Sequence, residues 1–206
     1  MTDQTPIRAA LSSALVPTFT GHLVDLLAPR PEDISLRDVA HALAGLNRWS
    51  GHLQSSISVA QHTLLVAAHV PADCRVHALL HDAHEAYTGE SPSPMKAAQR
   101  LVEMAGGYRD DVGSNRCIEL GLDAAIYHAV GLPLPNAAQR DAIHTADRRA
   151  AATEARDLLT RTEPMLDFGA EPFRQQISPW KTVDSEARLV TAFRQQFPQR
   201  QELWSR

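Results

Sequence analysis

The chain has little of what secreted, membrane-bound or nucleic-acid-coating proteins depend on. It holds only two cysteines in 206 residues, Cys74 and Cys117, and neither belongs to a C-x-x-C pair. A disulfide framework is therefore excluded, and two thiols in a reducing cytoplasm are expected. No apolar run approaches the ~20 residues of a membrane span, and no leader peptide is recognisable, so the expectation is a cytoplasmic protein without membrane attachment. A basic excess is also missing. The formal net charge of −4 argues against a nucleic-acid polymer as partner, because such binding needs a cationic surface. Aromatics are scarce at 5% and glycines number 10, while alanine runs such as Ala150–Ala152 recur. That balance leans toward helices.

What remains is an ordinary globular composition, 44% apolar and 21% charged. The length fits one domain over 1–206, enough to bury a core without staples, with residues 1–16 expected to be flexible or loosely packed. Pro17 to Leu27 reads as a short extended piece or hairpin with Gly21 in its turn. Ser35 caps a helix with apolar residues Leu36, Val39, Ala40 and Leu43 at a 3.6-residue period, and Gly45 closes it. A second helix is expected from about Ser56 to His69, stopped by Pro71. A third runs from about Asp73 to Tyr87, with Val76, Leu79, Leu80, Ala83 and Tyr87 on one face and Gly89 beyond its end. Ser93 and Pro94 read as N-cap and first residue of a fourth, which Gly106-Gly107 end. A fifth covers roughly Arg109 to Val130. Asn136 and Gln139 form a capping box at the start of a sixth, which extends toward Leu159. Thr160 to Pro179 is loop-like, and a last helix, about Val183 to Phe197, carries Leu189, Val190, Phe193 and Phe197. The expected fold is all-α, with at most a small N-terminal hairpin.

Histidine is the compositional oddity. There are ten, and six of them (His52, His62, His69, His77, His81, His84) fall within 33 consecutive residues. On the third helix His81 and Asp82 are adjacent, and Glu85 lies between them in angle one turn further on. A long imidazole and a short carboxylate can converge on one ion from two flanks, and that donor set suits Mn, Co, Fe or Zn. Neighbouring helices offer His62 and Asp147 as further ligands. The competing interpretation is the wet face of an amphipathic helix, since Glu85 lies opposite the apolar stripe. Against it, the stretch Val76–Glu85 carries three histidines, one Asp and one Glu, and no Lys or Arg.

Three strings, RWSGHLQSSISVAQHT (Arg48–Thr63), ALLHDAHEAYTGESPSPMK (Ala78–Lys96) and HTADRRAAATEARDL (His144–Leu158), resemble in order and spacing the HD-domain phosphohydrolases, and among them the small 5′-deoxynucleotidase-like branch. The resemblance extends from about Gly21 to Phe197. It implies a compact HD-type helical bundle, a divalent metal held by His62, His81, Asp82 and Asp147, and a nucleotide substrate. Asp82 and Glu85 become the catalytic carboxylates, Glu85 as the acid/base group. Mg is a candidate for an additional ion, and a homo-oligomer is expected.

For the substrate, Arg48 resembles the residue that grips phosphate, which its planar fork suits. Lys96 stands in the first turn of the fourth helix, where a cation opposes the helix dipole unless an anion lies nearby. His52 is a further donor, and Trp49 is placed to lie against a sugar or base, core packing being the alternative. Glu90 stands where relatives carry an Asp beside the deoxyribose, and Ser91 where an apolar residue is usual. His77, His84 and His144 flank the ligands and could orient them, whereas His69 reads as structural. The function expected is release of phosphate from nucleotides, as a 5′-(deoxy)nucleotidase. The alternatives are a deoxynucleoside triphosphate hydrolase and a nucleotide-sensing module without turnover. A zinc protease is excluded by the spacing in HDAHE, and a cyclic-dinucleotide phosphodiesterase by the lack of a Gly-Tyr-Pro signature.

Overall fold

Capping side chains set where several helices begin. In the computed structural model, which describes residues 14–105, 114–160 and 167–204, Ser35 accepts a hydrogen bond from the Asp38 N–H and opens helix α1 (Leu36–Gly45). Ser58 accepts from the Gln61 N–H and opens α2 (Val59–Ala68) in the same way. The expected capping box is present: Asn136 and Gln139 exchange side-chain to backbone bonds at 3.0 Å each and start the long α7 (Ala137–Leu158). Between α2 and α7 lie α3 (Arg75–Ala78), α4 (Glu85–Thr88), α5 (Ser93–Ala105) and α6 (Ser114–Val130), and α8 (Thr182–Gln196) follows.

The only sheet among the described residues is a hairpin, β1 (Leu15–Pro17) against β2 (Leu23–Asp25), so the all-α class holds. Gly21 sits in its turn at φ 91°, as expected, and the Asp38 carboxylate accepts from Thr20 N and Oγ1 at 2.8 Å each. That pair of bonds pins the hairpin to α1. Leu15 and Val16 therefore belong to a paired strand, not to the loose N-terminus expected for 1–16; residues 1–13 lie outside the described residues.

The main core runs from Val24 to Leu203. Leu36, Val39 and Leu43 of α1 are fully buried, as are Leu189 and Phe193 of α8, and each such side chain contributes about 1.5–3 kcal/mol. The helix α1 packs on α2, α4 and α8, while α2 also packs on α7. This places α2 at the centre, with His62 facing α7 and Gln61 hydrogen-bonded to the Ser178 carbonyl and the Trp180 N–H.

The largest departure concerns the expected helix over Asp73–Tyr87. A 3-10 turn (Ala72–Cys74) and α3 lead into tight turns from Leu79 to His84, and only then does α4 begin. Ala83 N–H bonds to Leu80 O at 3.1 Å and Glu85 N–H to Asp82 O at 3.0 Å, an i−3 pattern that winds tighter than an α-helix. The cause is visible in one side chain. His81 Nδ1 lies 2.8 Å from the carbonyl of Ala78, the group that a continuous α-helix would pair with the Asp82 N–H.

Helix α5 also starts earlier than the Ser93 cap reading, because the Pro92 carbonyl accepts from Met95 and Lys96 N–H at 2.8 and 3.1 Å. The expected helix end at Gly106-Gly107 and the start at Arg109 lie outside the described residues.

Candidate metal centre

His62 is brought in by α2, His81 and Asp82 by the tight turns before α4, and Asp147 by α7. One donor atom each from His62, His81 and Asp147 lies within 4.8 Å of the others, a spacing at which a single ion could be held. Asp82 closes the group: its Oδ2 stands 3.2 Å from His81 Nε2 and 3.7 Å from His62 Nε2. Asp147 Oδ1 stands 3.0 Å from His62 Nε2. Neither imidazole Nε2 makes a hydrogen bond of acceptable geometry, although both are buried.

Buried polar atoms without a partner are costly and rare, and here two of them converge with two carboxylates. Both rings are held from behind at Nδ1, His81 by Ala78 O and His62 by Glu154 Oε1 at 2.6 Å. That arrangement leaves the Nε2 lone pairs toward the cluster, as metal-ligating histidines require. The residues fit a divalent cation.

The electrostatics agree. Burial disfavours the His62 imidazolium and the Arg48 charge opposes it, yet Glu154 and Asp147 outweigh both and push its pKa up to about 10. Such an excess of negative charge is what a cation would neutralise. Burial raises the Asp82 carboxyl, but the imidazoles of His81 and His62 and the Arg48 guanidinium hold it well below the usual carboxylate range. Burial also raises Asp147, and His62 beside it brings it down.

Glu85 behaves differently. It is 4% exposed, so it is not the wet-face residue of the alternative sequence reading. Burial first, and the neighbouring Asp82 charge second, push its carboxyl up to about 8, against Arg48, His84 and Lys96, and its Oε2 has no hydrogen-bond partner.

Arg48 and Trp49 arrive on a short turn (Arg48–Gly51) that an isolated bridge, Asn47 with Ser58, ties to the start of α2. Burial works against the Arg48 charge, but Glu154, Asp82, Asp147 and Glu85 all favour it, so the guanidinium stays protonated. Trp49 and Ser50 adopt φ of 59° and 48°, left-handed conformations that cost a non-glycine residue about 1–3 kcal/mol each. Surrounding groups hold them there: Trp49 Nε1 donates to Glu154 Oε2 at 2.8 Å, and Ser50 N–H donates to Glu90 Oε2 at 3.2 Å. Gly89, at φ 81° after α4, turns the chain so that Glu90 reaches this position, and Glu90 Oε1 also lies 3.9 Å from Arg48.

Other expected residues fall into place unevenly. Lys96 Nζ is 3.1 Å from Glu119 Oε1 on α6, and its charge is felt at Glu85. His84 Nδ1 pairs with Asp123 at 3.0 Å, while His77 stacks on Tyr127 and His69 on Phe173. His52 is exposed, and among the described contacts none ties its side chain to the cluster.

A cleft of about 470 Å³ opens on the cluster between α6 and α7. His81 and Asp147 border it, with Arg116, Arg140, His144 and Leu134 among its other walls.

Sequence reasoning missed Glu154. It is 0% exposed and accepts from His62, Trp49 and Arg48 Nε, the last at 3.3 Å. Burial opposes its ionisation, but Arg48 and His62 hold its carboxyl below the usual range. A signal was available: Glu154 follows Asp147 by seven residues, two turns along the same helix face.

No family model matches the chain. It is 35% identical over 160 residues, 72% of its own length and 75% of the other's, to an uncharacterized protein of Rhodobacter capsulatus. It is 33% identical over 145 residues, 70% of its length and 72% of the other's, to the uncharacterized protein YfdR of Escherichia coli K12. The chain belongs to one family with these two proteins.

Proposed function

We propose that this chain is a metal-dependent phosphohydrolase that releases phosphate from nucleotides, acting as a 5′-(deoxy)nucleotidase. The observation that carries the proposal is the buried cluster of His62, His81 and Asp147, with Asp82 at its edge and unpaired imidazole nitrogens facing inward. A divalent ion held there would lower the pKa of a bound water toward ~7 and neutralise charge on phosphoryl oxygens.

The remaining steps belong to the chain's own residues. Arg48 keeps its charge beside the cluster and binds the phosphate through its terminal nitrogens, since Nε is committed to Glu154. With no ion bound, burial and then Asp82 push Glu85 up to about 8; a cation nearby draws it down, and the acid role requires the form of the site in which Glu85 still holds its proton. Glu85 gives that proton to the leaving 5′ oxygen as the phosphorus–oxygen bond breaks and a water oxygen bonds to phosphorus in its place, a proton of that water restoring Glu85. The Arg48–Gly51 turn, braced by Glu90, sits beside the nucleoside half of the substrate.

A second reading, a deoxynucleoside triphosphate hydrolase, is favoured by one feature. The α6–α7 cleft offers about 470 Å³ beside His81 and Asp147, with Arg116 and Arg140 in its walls, room and charge for more than one phosphate. Incubating the protein with nucleoside mono-, di- and triphosphates and Mn, Co, Mg or Zn, and resolving the products, separates the two. Inorganic phosphate from dAMP supports the nucleotidase, and triphosphate from dATP the second reading. No turnover with any pair would refute both.

A further inference from the structure

We infer that Glu154 is the positioning residue that joins the metal-binding and substrate-gripping halves of this site, so that the two are assembled or lost together. The inference rests on the metal-centre reading above and is independent of which phosphate ester is cleaved.

A carboxylate at 0% exposure is strongly unfavourable unless donors and nearby positive charge compensate it. Glu154 meets three donors. Oε1 takes the Nδ1–H of His62 at 2.6 Å, and Oε2 takes Trp49 Nε1–H at 2.8 Å and Arg48 Nε–H at 3.3 Å. Each bond has its own consequence. Engaging His62 at Nδ1 commits that ring to presenting Nε2 to His81 and Asp147. Engaging Trp49 helps hold a turn whose two central residues are in the left-handed region, and engaging Arg48 fixes the root of its guanidinium.

The amide of the same length cannot fill this role. An amide has one acceptor oxygen, and its NH₂ would face an N–H donor on whichever side it turned. A Gln at 154 must therefore either abandon the Arg48–Trp49 pair or turn its NH₂ to His62 Nδ1 and drive the ring proton onto Nε2, the atom offered to the ion. The helix reinforces the link, because α7 carries Asp147 and Glu154 two turns apart, with Ala150 fully buried between them. A shift of α7 moves a metal ligand and the anchor of the substrate turn as one body.

Two variants test this, Glu154→Gln and Trp49→Phe, with Co²⁺ alone as the probe. Chelator-stripped protein is titrated with Co²⁺, following visible absorption and competition against a chelator, and thermal unfolding is recorded separately. Glu154→Gln is expected to weaken Co²⁺ binding by about ten- to a hundred-fold. Trp49→Phe is expected to weaken it in the same direction by a smaller factor, although among the described contacts its indole reaches the cluster only through Glu154. In the double variant the Trp49 contribution should vanish.

A residue that merely packed would lower the melting temperature and leave the Co²⁺ affinity of the folded protein unchanged, and that result overturns the inference. If Glu154→Gln does not fold, Trp49→Phe decides alone, and wild-type affinity in it counts against the coupling. Should the wild type bind Co²⁺ and cleave no phosphate ester, the proposed function fails while the affinities still judge Glu154. Should it bind no Co²⁺, both fall.

Discussion

Replacing Glu85 by Gln should make the protein more stable while disabling it. The Glu85 carboxyl is raised from 4.5 to about 8, first by burial and then by Asp82. Its folded pKa thus lies above its unfolded one. Below about pH 4.5 both states hold the proton and there is no penalty. As pH rises toward 8 the unfolded chain releases it first, and stability declines across that window. At pH 7 the gap is about two and a half pH units at 1.36 kcal/mol each, a cost of about 3 kcal/mol. Gln copies the protonated acid and escapes this cost.

Denaturant unfolding of Glu85→Gln and wild type at pH 5, 6, 7 and 8, with a chelator present, should show an advantage that grows from about 1 kcal/mol at pH 5 to about 4 kcal/mol at pH 8. Turnover should fall by about 100-fold or more, the scale of a positioned acid. Divalent metal should shrink the stability difference, since a nearby cation favours the carboxylate. A pH-independent difference, or a less stable variant, would refute the claim that Glu85 is held neutral by burial.

Asp82→Ala should leave the fold intact but strip the ion, and elemental analysis showing full metal content would remove Asp82 from the site. Arg48→Lys keeps the charge but loses the planar fork and the Nε bond to Glu154, so the Michaelis constant for a nucleotide should rise clearly; unchanged kinetics would make Arg48 structural. Glu90→Asp shortens the side chain that braces Ser50 N–H, and the preference for dAMP over AMP expected of the wild type should change. Equal specificity constants for both sugars, unmoved by the substitution, would mean that Glu90 plays no part in reading the sugar.

The elements legible in the sequence are those whose causes are local. Asn136 and Gln139 cap one another within four residues, Ser35 and Ser58 reach N–H groups three residues on, and the apolar stripe of α1 repeats at the helical period. Such interactions are complete inside a short window, so composition and spacing reveal them. The concentration of histidines before Glu85 likewise pointed to the cluster, because that residue mixture is unusual for a solvated helix face.

Tertiary packing decided the rest. The segment around His81 reads as helix by periodicity, yet its backbone tightens where the imidazole takes the Ala78 carbonyl, a choice that depends on what His81 faces. Trp49 and Ser50 carry no sequence mark of a left-handed turn, since Glu154, 105 residues from Trp49, and Glu90, 40 residues from Ser50, hold them there. The elevated pKa of Glu85 and the convergence of three donors on Glu154 arise only when α2, α4 and α7 exclude water from one small volume. Local propensity acts over a few bonds, whereas desolvation and charge act through space, and chain separation does not predict either.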